Sequence, residues 1–106
     1  MKKAKVYING IYVGILSEIK KRTSYEFNYI DGYDGDAVSL TMPVKKRAFI
    51  FDRFPPFFEG LLPEGVLLES LLKRKKIDSD NLFLQLITVG KDMVGDVTVE
   101  GIETNE

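Results

Sequence analysis

Several short stretches of this chain hold residue types that do chemistry at suggestive spacings. Gly90 and Gly95 in GKDMVG stand at the separation that opens a phosphate-binding loop. Such a loop continues with Lys for the phosphates and Ser or Thr for magnesium. Asp96-Val97 follow here, so the stretch is expected to be a helix end and a turn into a strand. DGYDGD at 31–36 offers carboxylates to calcium, but a calcium hand closes on a bidentate Glu at its twelfth position. No Glu stands there counted from Asp31 or Asp34, and a solvated turn is the expectation. The run KRKK at 73–76 has a composition that touches phosphate. It is also what a helix C-terminus gathers, because the dipole favours cations there. The carboxylate pairs Asp92/Asp96 and Glu59/Glu64 have the functional groups for acid/base work, but no spacing marks either as a site.

The chain contains no cysteine and no histidine, which removes disulfides, thiol nucleophiles, thiolate zinc sites and imidazole catalysis. Fifteen basic against sixteen acidic side chains leave a net charge of −1, so there is no global attraction for nucleic acid or anionic lipid. No metal or other cofactor is called for. A length of 106 residues fits one domain, and 44% apolar with 29% charged residues is ordinary for a globular protein. The longest unbroken apolar run is AFIF at 48–51, far short of the roughly 20 residues of a membrane-spanning helix. The start MKKAKVYING turns polar before a signal peptide's apolar stretch could form, and a cytoplasmic protein is expected.

The elements that position these residues follow from periodicity. KVYINGIYVGIL alternates apolar and polar residues on both sides of Asn9-Gly10, the pair suited to a type I′ hairpin turn, giving strands at about 4–8 and 11–16. In TSYEFNYI at 23–30, Tyr25, Phe27 and Tyr29 share one face of a third strand. VSLTM at 38–42 and RAFIF at 47–51 are further short strands. Phe54, Phe57, Phe58 and Leu61 recur at helical spacing behind Pro55-Pro56, which predicts a helix at about 55–61. Pro63 and Gly65 turn the chain before a second helix at about 64–75, with Val66, Leu67, Leu68, Leu71 and Leu72 on or near its apolar stripe. A third helix is capped by Asp78 or Ser79, buries Leu82, Phe83, Leu86 and Ile87, and stops at Gly90. VGDVTVEGI at 94–102 is a last strand. Strands first, helices second and a strand to finish make an α+β domain: a small antiparallel or mixed sheet, or a partial barrel, of five to six strands with about three helices in the C-terminal half. Most of the cluster Phe49, Phe51, Phe54, Phe57 and Phe58 is expected in the core, with some rings left for a partner.

VSLTMP at 38–43, FFEGLLPEG at 57–65 and LLKRKKIDSDNLFLQLITVGKDMVGDVTV at 71–99 together resemble the N-terminal domain of HipA-type serine/threonine kinases, the toxins of bacterial toxin–antitoxin systems. The family pattern runs Leu-Ser-Leu-x-Leu-Pro, Phe-Phe-x-x-Leu-Leu-Pro and Gly-x-Asp-x-Val-Gly-Ala-Val in the same order. Met42 replaces the usual Leu, and Asp96 stands where Ala is common. A HipA kinase continues into a core with a nucleotide loop, a catalytic Asp and metal ligands, and without those parts phosphoryl transfer is not possible.

The resemblance therefore implies a non-catalytic single domain, 1–106, similar to HipS, the stand-alone small protein of three-component systems that binds and neutralises a shortened kinase, HipT. Through that complex a HipB-like helix-turn-helix repressor is a further partner. On this reading the corner at 57–66 is a presentation device, with Phe57, Phe58, Glu59, Leu62, Pro63, Glu64, Gly65 and Val66 as the partner-binding residues. Pro63 fixes the backbone, Gly65 permits close approach, and Val66 points outward at the helix start. Two alternatives stay open: an accessory half of a split kinase that needs this domain for activity, and a nucleic-acid-binding barrel motivated by Tyr25, Phe27, Tyr29 and the basic run.

Overall fold

The computed structural model describes residues 2–63, 65–90 and 96–102, the side chains of 65 and 66 excepted. Strands β1 (Lys2–Ile8) and β2 (Ile11–Lys20) are joined by Asn9 at φ 49° and Gly10 at φ 81°. These are the two positive-φ positions of a type I′ turn, and Ile8 pairs with Ile11 across it. β3 (Ser24–Tyr29) runs antiparallel to β2, and β4 (Ala48–Phe51) antiparallel to β3. The final strand β5 (Val97–Ile102) returns to pair antiparallel with β1. The sheet is thus wholly antiparallel and open, with five strands in the order β4-β3-β2-β1-β5. Helices α1 (Pro56–Glu59), α2 (Gly65–Lys75) and α3 (Leu82–Val89) lie in the C-terminal half, as the α+β reading requires.

One face of the sheet is the core. Alternation along β1 and β3 sends Ala4, Val6, Tyr25, Phe27 and Tyr29 inward, where Phe54, Phe58, Phe83 and Leu86 from the helical half meet them. Tyr25 packs edge-on against Phe54 at 5.2 Å and stacks with Phe83 at 6.4 Å, while Phe27 meets Phe58 at 5.9 Å. Each fully buried phenylalanine contributes about 1.5–3 kcal/mol relative to exposure, so this ring cluster is a main adhesive between sheet and helices. Gly14 makes room for it, because a β-carbon there would lie 2.6 Å from the tip of Phe27.

Three expectations need correction, and a fourth, the end of α3 at Gly90, holds. Residues 38–42 form bends and turns rather than a strand. The Tyr29 hydroxyl donates to the Met42 carbonyl and accepts from the Val38 N–H at 2.9 Å, so a side chain satisfies backbone groups that a sheet ladder would otherwise take. α3 is capped by Asn81, whose side chain accepts from the Leu84 N–H at 3.3 Å, and the Asp78 carboxylate instead pairs with Arg22 at 3.3 Å. Leu67 does not join the α2 stripe and is 72% exposed. Gly90 ends α3 in right-handed geometry, and its lack of a side chain serves a close approach: a β-carbon would stand 2.1 Å from the Val99 carbonyl oxygen. The expected bounds of the last strand include residues 94 and 95, which lie outside the described residues, as does most of GKDMVG.

Candidate functional site

The corner that begins at Phe54 is shaped by its prolines. Pro55 is extended, at φ −58° and ψ 126°, and caps α1; Pro56 occupies the first turn, where a missing N–H costs nothing. Glu59 and Gly60 donate to the carbonyls of Pro55 and Pro56, both at 3.0 Å. Leu61 and Leu62 then bond three residues back, to Phe58 and Glu59, both at 3.1 Å. The helix thus tightens into a turn just before Pro63, a shorter element than the 55–61 expected.

Of the residues expected to meet a partner, Phe58 is wholly buried against Phe27 and Phe57, so its side chain holds the corner in place. Phe57, Leu62 and Pro63 are half-buried and Glu59 is exposed. Glu64 lies outside the described residues, as does the Val66 side chain, and Gly65 is described by its backbone alone.

Beside the corner runs a groove of about 610 Å³, walled by Thr41 and Met42, by Ile50 to Arg53 at the end of β4, and by Pro55, Pro56 and Phe57. Leu40, which precedes Thr41 in sequence, is fully exposed, and Ile50 in the groove wall is 79% exposed. The loop carrying Thr41 and Met42 is held by Tyr29, whose phenol is pushed up from its ordinary pKa by burial, with the Val38 N–H opposing. The Arg47 guanidinium donates to the carbonyls of Ile30 and Tyr33 and ties the other end of the same loop. Sequence reasoning missed this groove. The alternation Phe49, Ile50, Phe51 was its one local signal, since period two places Ile50 on the face opposite the core.

Among the described residues no group of three or more Asp or Glu side chains could hold a metal ion. Glu59 and Asp96 are exposed; the Asp96 carbonyl accepts from the Asn9 N–H at 2.8 Å and so closes the hairpin onto the last strand. Tyr25, Phe27 and Tyr29 are buried beneath the helices, so none is presented to stack on a base. No helix of the described residues is long and apolar enough to cross a membrane.

Residues 4–100 match the model of the HipA N-terminal domain. The chain belongs to that family. A solved structure titled "N-terminal domain of HipA toxin" superposes with a TM-score of 0.79 at 30% identity, over 99% of this chain and 96% of that one. An uncharacterized protein of Haemophilus influenzae is 30% identical over 100 residues, which is 94% of this chain and 92% of that protein. A Sinorhizobium fredii protein named "Putative kinase Y4dM" is 36% identical over 95% of this chain, which spans only 27% of that relative. The HipA N-terminal domain is the part of a HipA protein that lacks the kinase machinery, and membership relates this chain to the HipA toxin–antitoxin systems.

Proposed function

We propose that this chain is a non-catalytic protein that docks on a HipA-type serine/threonine kinase core in the cytoplasm and suppresses its activity, the antitoxin role of a HipS-like protein. One observation carries the reading: the same domain accounts for 27% of a relative named as a kinase and for 92% of a relative close to its own size. The occurrence of one domain both joined to a kinase and in a relative of about its own size supports a surface suited to such a kinase. The corner supports this, since Phe57, Leu62 and Pro63 keep part of their apolar surface in water around the exposed Glu59. Glu64, Gly65 and Val66 continue that contact surface in sequence. A HipB-like repressor would join through the kinase.

The test is autophosphorylation of a purified HipA-type kinase core with and without this protein, after size exclusion shows whether the two co-elute. Co-elution with reduced phosphorylation is the expected result. Co-elution with raised phosphorylation would instead make the chain the accessory half of a split kinase, and separate elution would sink both readings.

A further inference from the structure

We propose that the outer edge of β4, with the groove beside it, receives an extended acidic and apolar segment of a partner protein, which joins the sheet as an added strand. The inference rests on the reading that this chain works by binding a protein, and it names the kind of segment that partner supplies. Three observations carry it.

The first is backbone register. Tyr29 donates its N–H to Arg47, and Phe27 and Tyr25 lie opposite Phe49 and Phe51. In an antiparallel ladder the bonded positions alternate, so residues 47, 49 and 51 turn their N–H and C=O groups toward β3. Ala48 and Ile50 then turn theirs to the outer edge, and among the described residues β4 pairs with β3 alone. Such a row is a template for another strand. The second observation is the adjoining groove, where Ile50, Phe51 and Phe57 meet Met42 and two prolines, giving alternate side chains of an added strand an apolar seat.

The third observation is charge, and it selects the occupant. Exposed Lys45 and Lys46 precede β4 and exposed Arg53 follows it, against the single acid Asp52. Two copies of this chain pairing antiparallel through β4 would bring the lysines of one toward Arg53 of the other, and facing like charges oppose that pairing. A strand bearing carboxylates beside apolar residues meets the same cations favourably.

The test titrates a capped heptapeptide alternating glutamate with valine into the ¹⁵N-labelled full chain and follows the amide resonances. Saturable shifts centred on Ala48, Ile50 and Asp52 are expected, with binding weakened about tenfold or more when lysine replaces glutamate in the peptide. Ile50→Pro removes an outward N–H while leaving the bonds to β3, a position where an edge strand tolerates proline, and should abolish the shifts. If that variant fails to fold, the exposed triple change Lys45→Glu, Lys46→Glu and Arg53→Glu carries the test and should reverse the preference between the two peptides. Shifts centred elsewhere, equal affinity for both peptides, no binding at millimolar concentration, or concentration-dependent dimerisation through β4 would each overturn the proposal. The kinase is absent from this titration, so the two readings fail separately. Peptide binding at β4 without kinase co-elution keeps the edge site and rejects the kinase. Co-elution with a chain that ignores the peptide rejects the edge site alone.

Discussion

Phe27, Phe58 and Phe83 are wholly buried between the sheet and the helices, whereas Leu40 and Ile50 keep 100% and 79% of their surface in water. Both regions are apolar and both border β4, so hydrophobicity does not separate them. Cover does. The inward face of the sheet is roofed by the helical half, and ring meets ring from Tyr25 through Phe54 and from Phe27 through Phe58. The outer edge of β4 has a loop and a groove beside it and no neighbouring strand among the described residues. One region therefore sets stability and the other is free to set binding, and substitutions should sort the two.

The largest expected effect is at the buried end. Phe58→Ala deletes a ring with no exposed surface and leaves a cavity against Phe27 and Phe57, which should cost about 3–5 kcal/mol in urea denaturation. A cost below about 1 kcal/mol would mean that the roof is loosely packed, and the contrast with Leu40 would collapse.

A middle effect is expected at Tyr29, which belongs to the core by its ring and to the groove by its hydroxyl. Tyr29→Phe strands the Met42 carbonyl and the Val38 N–H, a loss of about 1–3 kcal/mol. Its phenol is raised above the ordinary tyrosine value of about 10, mainly by burial. A group that holds its proton more tightly when folded gives stability that is full below the unfolded pKa and is lost as pH rises through the folded one. Stability should therefore be flat to about pH 10 and fall above it, and Tyr29→Phe should shrink that fall. Tyr25 is also raised, by burial first and then by the Glu18 carboxylate, so part of the alkaline loss should survive the substitution. Urea midpoints of both proteins between pH 9 and pH 11 would check this.

What the sequence displayed and what it concealed divide along a similar line. Asn9-Gly10 named its own turn, and the alternation of Tyr25, Phe27 and Tyr29 named its own face, because both signals are local and backbone geometry enforces them. The three motifs of the HipA family were legible in order, and the family match over 4–100 bears them out. VSLTM misled because its alternation is real while the Val38 N–H and the Met42 carbonyl bond to Tyr29, nine and thirteen residues away in sequence, leaving Leu40 without cover. Asp78 misled in the same manner: a competent helix cap was claimed by Arg22, 56 residues distant, and Asn81 took the cap instead. The groove escaped for a further reason. It is a property of three separated segments; the phenylalanine cluster marked the β4 and α1 segments, but nothing in the sequence brought Thr41 and Met42 to them.

The Arg22 fork should show a smaller effect. Its guanidinium spans Asp78 and Asp80 at 3.3 and 3.0 Å, yet both carboxylates are more than two-thirds exposed. Screening by water leaves such pairs worth less than about 1 kcal/mol. Asp78→Asn with Asp80→Asn should cost no more than that, and the difference should vanish in high salt. A larger loss would show that the turn between β2 and β3, where Arg22 sits at φ 62°, depends on the fork for its geometry.

The smallest effect on stability, and the one most specific to the comparison, belongs to Leu40. Its side chain is fully exposed on a loop whose backbone is held by other groups, so Leu40→Ser should leave the urea midpoint within the equivalent of about 0.5 kcal/mol. The same change removes an exposed apolar side chain directly before the Thr41-Met42 wall of the groove in sequence, and co-elution with a HipA-type kinase core should weaken while folding does not. Unchanged co-elution would move the contact surface to the other side of the corner, toward Leu62 and Pro63. A large loss of stability would mean that Leu40 is covered in the folded protein, and with that the distinction between a roofed and an open apolar surface would no longer hold.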